Sequence, residues 1–128
     1  MSEFQFIVNG ELIINGTEID PVYLSAAENN WNGIKIQPSI SKPLQISENA
    51  EYISGNIISY VIFEDAQSPL WGSENDNYYI DNVIIQNFYR GINLGTESIF
   101  HDIEMINVWE LDSLSTDYYG INLSLIHI

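Results

Sequence analysis

Apolar residues in this chain come in short runs, many of them β-branched, and no stretch shows the recurrence of an amphipathic helix. The runs are FQFIV (4–8), ELIIN (11–15), PVYLS (21–25), GIKI (33–36), NIISYVIF (56–63), YIDNVIIQNF (79–88), GINL (91–94), IEMINVW (103–109) and GINL again (120–123). Asn, Gly, Ser and Asp punctuate them, which predicts strands separated by turns and an all-β chain. The fully apolar stretches predict burial or parallel stacking rather than strands wetted on one face.

The runs also repeat. Setting YVIFEDAQSPLW (60–71) over NVIIQNFYRGIN (82–93) matches Val61 to Val83, Phe63 to Ile85, Asp65 to Asn87 and Leu70 to Ile92, at an offset of 22. Setting DIEMIN (102–107) under NVIIQN (82–87) matches Ile103 to Val83, Met105 to Ile85 and Asn107 to Asn87, at an offset of 20. YYGIN (118–122) answers YRGIN (89–93), and WNGIKI (31–36) is an earlier copy of the same Gly-Ile element. A period of this size with loop insertions is the signature of a solenoid. It is too short for a helical repeat, and the spaced leucines of a leucine-rich repeat are missing. A parallel β-helix fits, with like positions forming ladders: Val61, Val83 and Ile103; Phe63, Ile85 and Met105; Ile34, Ile92 and Ile121. Asp65, Asn87 and Asn107 would stack at one corner, where Asx residues tolerate unusual backbone angles and bond neighbouring amides. Gly33, Gly91 and Gly120 would mark the next corner, where positive φ is expected. Asn9-Gly10, Asn15-Gly16 and Asn32-Gly33 are also good two-residue hairpin turns, so an antiparallel sandwich stands as the competing fold.

Charge narrows the partners. The chain has 128 residues, 18 acidic and three basic (Lys35, Lys42 and Arg90), for a net charge of −15. Its own field would repel phosphate, which argues against nucleic acid and anionic membranes and weakens the case for a polyanionic sugar. It leaves room for divalent cations. With no cysteine, thiol and disulfide chemistry are excluded, while the compartment stays open. MSEFQFIVNG lacks the basic start and long apolar stretch of a secretory signal, and no apolar run reaches the ~18 residues of a membrane span.

The stretch VNGELIINGTEIDPVYLSAAENNWNGIKI (8–36) resembles the entry of bacterial right-handed parallel β-helix proteins of the pectin-lyase-like superfamily. In these a G-x-L-x-x-x-G-T element leads to a P-V/I-x-x-S/T strand and then a W-x-G-I strand. The matching residues are Gly10, Leu12, Gly16, Thr17, Pro21, Val22, Trp31, Gly33 and Ile34. ISYVIFEDAQ (58–67) looks like the coil that follows. The resemblance covers residues 4–122 and implies about five right-handed coils of a secreted or cell-surface protein. Residues 1–122 are then a partial β-helix domain, a fragment open at both ends. LSLIHI (123–128) is what the DNA string CTG TCT CTT ATA CAC ATC encodes, which matches a transposon end used in library preparation, so those residues are read as a non-native tail. Leu123 fits either origin, since GINL at 91–94 has leucine there too. Open solenoid ends would favour self-association.

Sugar-cleaving β-helix enzymes in that superfamily generally use a Ca²⁺-bound carboxylate cluster with a Lys or Arg base, or neighbouring Asp residues as acid and base. Here Asp81, Asp102 and Glu104 fall on nearby coils, with Glu104 pointing outward in line with Ile62 and Ile84, but no Asp-x-Asp or Asp-Asp motif contains them. Arg90 lacks an identifiable cluster to serve, and a solvated acidic face accounts for these carboxylates. His101, beside Asp102, and His127, in the tail, do not make a metal site. The Asn-rich loop SENDNYYIDN (73–82) offers Glu74, Asp76 and Asp81 as hard oxygen ligands for Ca²⁺, without the glycine spacing of known calcium loops. A glycan-binding face would combine Trp31, Lys35, Tyr89, Arg90, Asn93, Tyr119 and Asn122, with Tyr118 beside them: aromatic faces pack on sugar rings while Asn and Arg bond hydroxyls. Packing into a corner is the competing role for Trp31, Trp71 and Trp109. No catalytic residue is assigned. The expected function is a non-catalytic structural or carbohydrate-binding, adhesin-like segment. The alternative is a fragment of a polysaccharide lyase or glycoside hydrolase whose catalytic coils lie beyond residue 122. Nucleic acid and membrane insertion are not expected.

Overall fold

The computed structural model describes residues 5–26, 31–37, 43–72, 76–88, 92–94 and 98–108. Among them are eleven strands and no helix: β1 (Phe6–Val8), β2 (Ile13–Asn15), β3 (Val22–Leu24), β4 (Ile34–Ile36), β5 (Gln45–Ile46), β6 (Tyr52–Ser54), β7 (Ile57–Glu64), β8 (Leu70–Trp71), β9 (Tyr79–Phe88), β10 (Ile92–Asn93) and β11 (Ile99–Val108). One sheet has the order β1-β4-β8-β10 and a second the order β11-β9-β7-β2, with β3 also on β7. Every pairing within these two sheets is parallel. From β7 onward, successive strands alternate between the two sheets. This parallel pairing removes the antiparallel sandwich. Among the described residues the single antiparallel pair is β5 with β6, in the stretch QISENAEYIS, which the apolar runs did not reveal because its strands are two and three residues long.

The long strands pair in the register that the repeat gives. Val61 is opposite Val83 and Val83 opposite Ile103; Phe63 is opposite Ile85 and Ile85 opposite Met105. In the other sheet Ile34, Leu70 and Ile92 share a row. Ile121, Gly91 and Gly120 lie outside the described residues, while Gly33 has a φ of +97°. The two sheets share one apolar core, to which Ile34, Leu70 and Ile92 contribute from one side and Ile58, Val61, Phe63, Ile80, Val83, Ile85, Phe100 and Ile103 from the other.

Inward residues on the long strands do not follow simple alternation. On β7 and just beyond, Ile58, Val61, Phe63 and Ala66 are buried; on β9, Ile80, Val83, Ile85 and Phe88 are. The spacing runs three, two, three. Each step of three crosses a residue with positive φ: Tyr60 (53°), Asp65 (58°), Asn82 (54°) and Asn87 (57°), and Asp102 (54°) sits likewise between Phe100 and Ile103. A left-handed residue turns the chain sharply and resets which face the next side chain takes. The strands are thereby bent at Tyr60, Asn82 and Asp102, which share a column, while Asp65 and Asn87 form a second column.

Side chains tie the layers where the strands begin. Asn56, 3 % exposed, accepts from the Leu12 N–H through Oδ1 at 2.8 Å, and Ser98 Oγ accepts from the Tyr78 N–H at 2.9 Å. Gly33 is needed twice over: its φ is left-handed, and a Cβ there would strike the Ser68 carbonyl oxygen.

Candidate functional site

The bend in the second sheet carries a groove of about 600 Å³. Its lining is dictated by register. The left-handed column supplies Tyr60, Asn82 and Asp102, and the outward row supplies Ile62, Ile84 and Glu104. These outward positions alternate with the buried Val61, Val83 and Ile103, so the floor of the groove is the back of the core. At the ~4.8 Å strand spacing, the three strands give it a width of roughly 10 Å.

One wall is the loop between β2 and β3. The two short strands lie against opposite halves of β7, Ile13–Asn15 on residues 57–59 and Val22–Leu24 on residues 61–63. Residues 16–21 therefore replace, in that layer, the single bend residue of the next. The Gly16 N–H donates to the Ser59 carbonyl at 2.8 Å, and a Cβ at Gly16 would meet the Tyr60 carbonyl oxygen, so only glycine lets the loop leave the sheet here. Thr17 and Asp20 close the loop, with the Asp20 N–H donating to Thr17 Oγ1 at 3.0 Å and the Thr17 N–H to the Asp20 carbonyl at 3.1 Å. The loop brings Glu18 and Pro21 to the groove.

The groove combines an apolar floor (Ile62, Ile84), a phenol (Tyr60), an amide (Asn82) and three carboxylates (Glu18, Asp102, Glu104). Asn82 is oriented through Nδ2, which donates to Asp81 Oδ1 at 2.9 Å. Next to this face, the Tyr79 ring lies between Tyr52 and His101, with centroids 5.7 Å away on each side. Burial, then the charge of Asp81 and of Glu51, raises the Tyr79 phenol above its usual value.

Of the glycan-face residues singled out from the sequence, Trp31, Lys35 and Asn93 fall among the described residues. Lys35 lies on the first sheet in register with Trp71, and its Nζ sits 4.5 Å from the Trp71 ring centroid; Trp71 is in turn opposite Asn93. Lys35, Trp71 and Asn93 thus share a row, with Trp71 supplying the aromatic face there. Trp31 is 4 % exposed, with its indole N–H donating to the Glu64 carbonyl at 2.9 Å. Its ring belongs to the core and offers no face to a sugar, so of the two roles weighed for Trp31 its burial supports corner packing. Tyr89, Arg90, Tyr118, Tyr119 and Asn122 lie outside the described residues, as do Glu74, Trp109 and His127. Asp76 is 5 % exposed, and Asp81 is half-buried. Among the described residues no group of three His, Cys, Asp or Glu side chains is arranged to hold a metal, and no helix is long and apolar enough to cross a membrane. Asn87 Nδ2 donates to Asp65 Oδ1 at 3.0 Å, joining two members of the Asx column. Asn107 is on β11, outside the residues whose side chains are described.

Sequence reasoning placed Glu104 in line with Ile62 and Ile84 but missed the groove. The offsets of 22 and 20 also align Tyr60, Asn82 and Asp102. That column had no type signature, because tyrosine is a poor marker for a left-handed bend. The wall formed by residues 16–21 depends on two distant strands sharing one partner, which no local pattern carries.

No family model matches the chain, and comparison with curated proteins and with solved structures gives no significant match.

Proposed function

We propose that this chain is a segment of a secreted or cell-surface right-handed parallel β-helix protein, with a non-catalytic role as a scaffold that binds glycans. The fold reading draws support from the alternation of strands between two parallel sheets and from the 22- and 20-residue register. The assignment to the cell surface draws on the resemblance of the Gly10–Ile34 motif to entry coils of such proteins. The observation that carries the binding role is the groove over β7, β9 and β11. An apolar strip with an amide and a phenol along it suits a sugar ring, whose flat face is apolar and whose edge is hydroxyls. Its volume of about 600 Å³ falls within the range of roughly 300–1,000 Å³ common for small-ligand sites.

Calorimetric titration of the chain with a panel of neutral and amine-bearing oligosaccharides tests this. Binding is expected to at least one member, and to be lost in Ile84→Arg, which fills the floor from an outward position. No heat across the whole panel overturns the binding role. A second reading, a fragment of a glycoside hydrolase or polysaccharide lyase, gains from Asp102 and Glu104 lining the same groove. A reducing-sugar and unsaturated-product assay on the bound oligosaccharides separates the two: product formation that Asp102→Asn or Glu104→Gln abolishes identifies an enzyme.

A further inference from the structure

We infer that the groove over the bend selects a cationic glycan, one whose rings carry free amines in place of neutral or acidic substituents. The inference rests on the glycan-binding reading and narrows it to a substrate class. Apart from the Tyr60 phenol, every ionisable group in the lining is a carboxylate: Glu18 from the loop wall, Asp102 from the bend column and Glu104 from the outward row. Glu104 follows Ile62 and Ile84 along one row, and Asp102 follows Tyr60 and Asn82 along the other. Both rows therefore run from uncharged groups on β7 and β9 to an acidic end on β11. A chain of sugars laid across the three strands would place rings on the isoleucines and a substituent against the two carboxylates.

The chemistry of that substituent follows from desolvation. A neutral ring covering Asp102 and Glu104 would strip water from two charges and return weak hydrogen bonds. A sulfate or uronate there would be repelled, both by these groups and by a molecule with a net charge of −15. An ammonium group instead makes charge-assisted N–H···O bonds to the carboxylates, and the field of the whole chain raises its local concentration.

The probes are glucosamine oligomers and N-acetylglucosamine oligomers of the same length, titrated calorimetrically into the whole chain at low salt, with an oligolysine peptide as a third titrant. The amine oligomer is expected to bind, with the acetylated oligomer roughly tenfold weaker or more. Raising salt, or raising the pH until the sugar amines lose their protons, should erase the difference. In Asp102→Asn with Glu104→Gln the two sugars should bind alike. Asparagine tolerates the left-handed bend at 102, and Glu104→Gln alone leaves that bend untouched, so melting curves matching the parent show that the fold is intact. Equal binding of both sugars to the parent chain overturns the cationic preference and leaves glycan binding standing. Binding of oligolysine without either sugar, or no binding at all, overturns the cationic preference, and the wider oligosaccharide panel then decides glycan binding by itself.

Discussion

At the residue scale, the left-handed positions decide the shape. Asx residues reach this region more cheaply than others because a short polar side chain bonds locally. Asn87 adds a bond across the layers to Asp65. Asn87→Gly keeps the backbone angle and loses the bond, and is expected to cost about 1 kcal/mol. Asn87→Ala loses both and should cost about 2–3 kcal/mol, read from urea denaturation. Equal effects of the two would remove the backbone argument. Tyr60 is the reverse case: a bulky residue at φ +53°, in a groove-lining position. Strain of this kind tends to be kept where a side chain is used. Tyr60→Asn is expected to stabilise the fold by ~1 kcal/mol while weakening oligosaccharide binding, a split that paired melting and titration data would reveal.

At the element scale, β7, β9 and β11 are each two short straight pieces joined at a bend, and their inward residues pack while their outward residues line the groove. The same strand should therefore respond oppositely at adjacent positions. Ile85 is fully buried between Phe63 and Met105, so Ile85→Ala is expected to cost about 2–5 kcal/mol. Ile84 is half-buried and faces outward, and Ile84→Ser should cost under about 1 kcal/mol while reducing ligand binding. Chemical denaturation of the two variants checks the assignment of faces, and a one-residue slip in register would reverse the result.

At the scale of the whole molecule, charge and buried phenols set the response to conditions. Burial raises Tyr78, with Asp76 adding to it; burial raises Tyr52, with Glu11 adding; and Tyr79 is raised as described above. Each phenol keeps its proton in the folded state to a higher pH than in the unfolded chain, which titrates near ~10. Their contribution is thus complete below that pH and is lost as pH rises toward the folded-state values. Stability measured by urea denaturation should fall above about pH 10, and less steeply in Tyr78→Phe. At neutral pH Tyr78→Phe should be more stable by ~1 kcal/mol, because the Tyr78 hydroxyl is fully buried with no hydrogen-bond partner among the described residues. With a net charge of −15, melting temperature should climb with sodium chloride as self-repulsion is screened.

The sequence by itself determined the β-rich class, the long strands and the row register that aligns Val61 with Val83 and Ile103, because a repeat writes the same physical requirement at a fixed offset. Val83 must match Val61 when both stand in one row of one core, so the constraint is visible in the letters. Gly33 was legible for the same reason: its backbone angle admits few other residues. Tertiary structure alone decided the groove. Its wall exists because β2 and β3 share β7 and force residues 16–21 outward, and its polar column includes a tyrosine in a conformation that tyrosine does not advertise. It also decided that Trp31 is core and Trp71 faces Lys35. An aromatic residue carries the same apolar payload inside or at a surface, and only the neighbours it meets fix which role it plays.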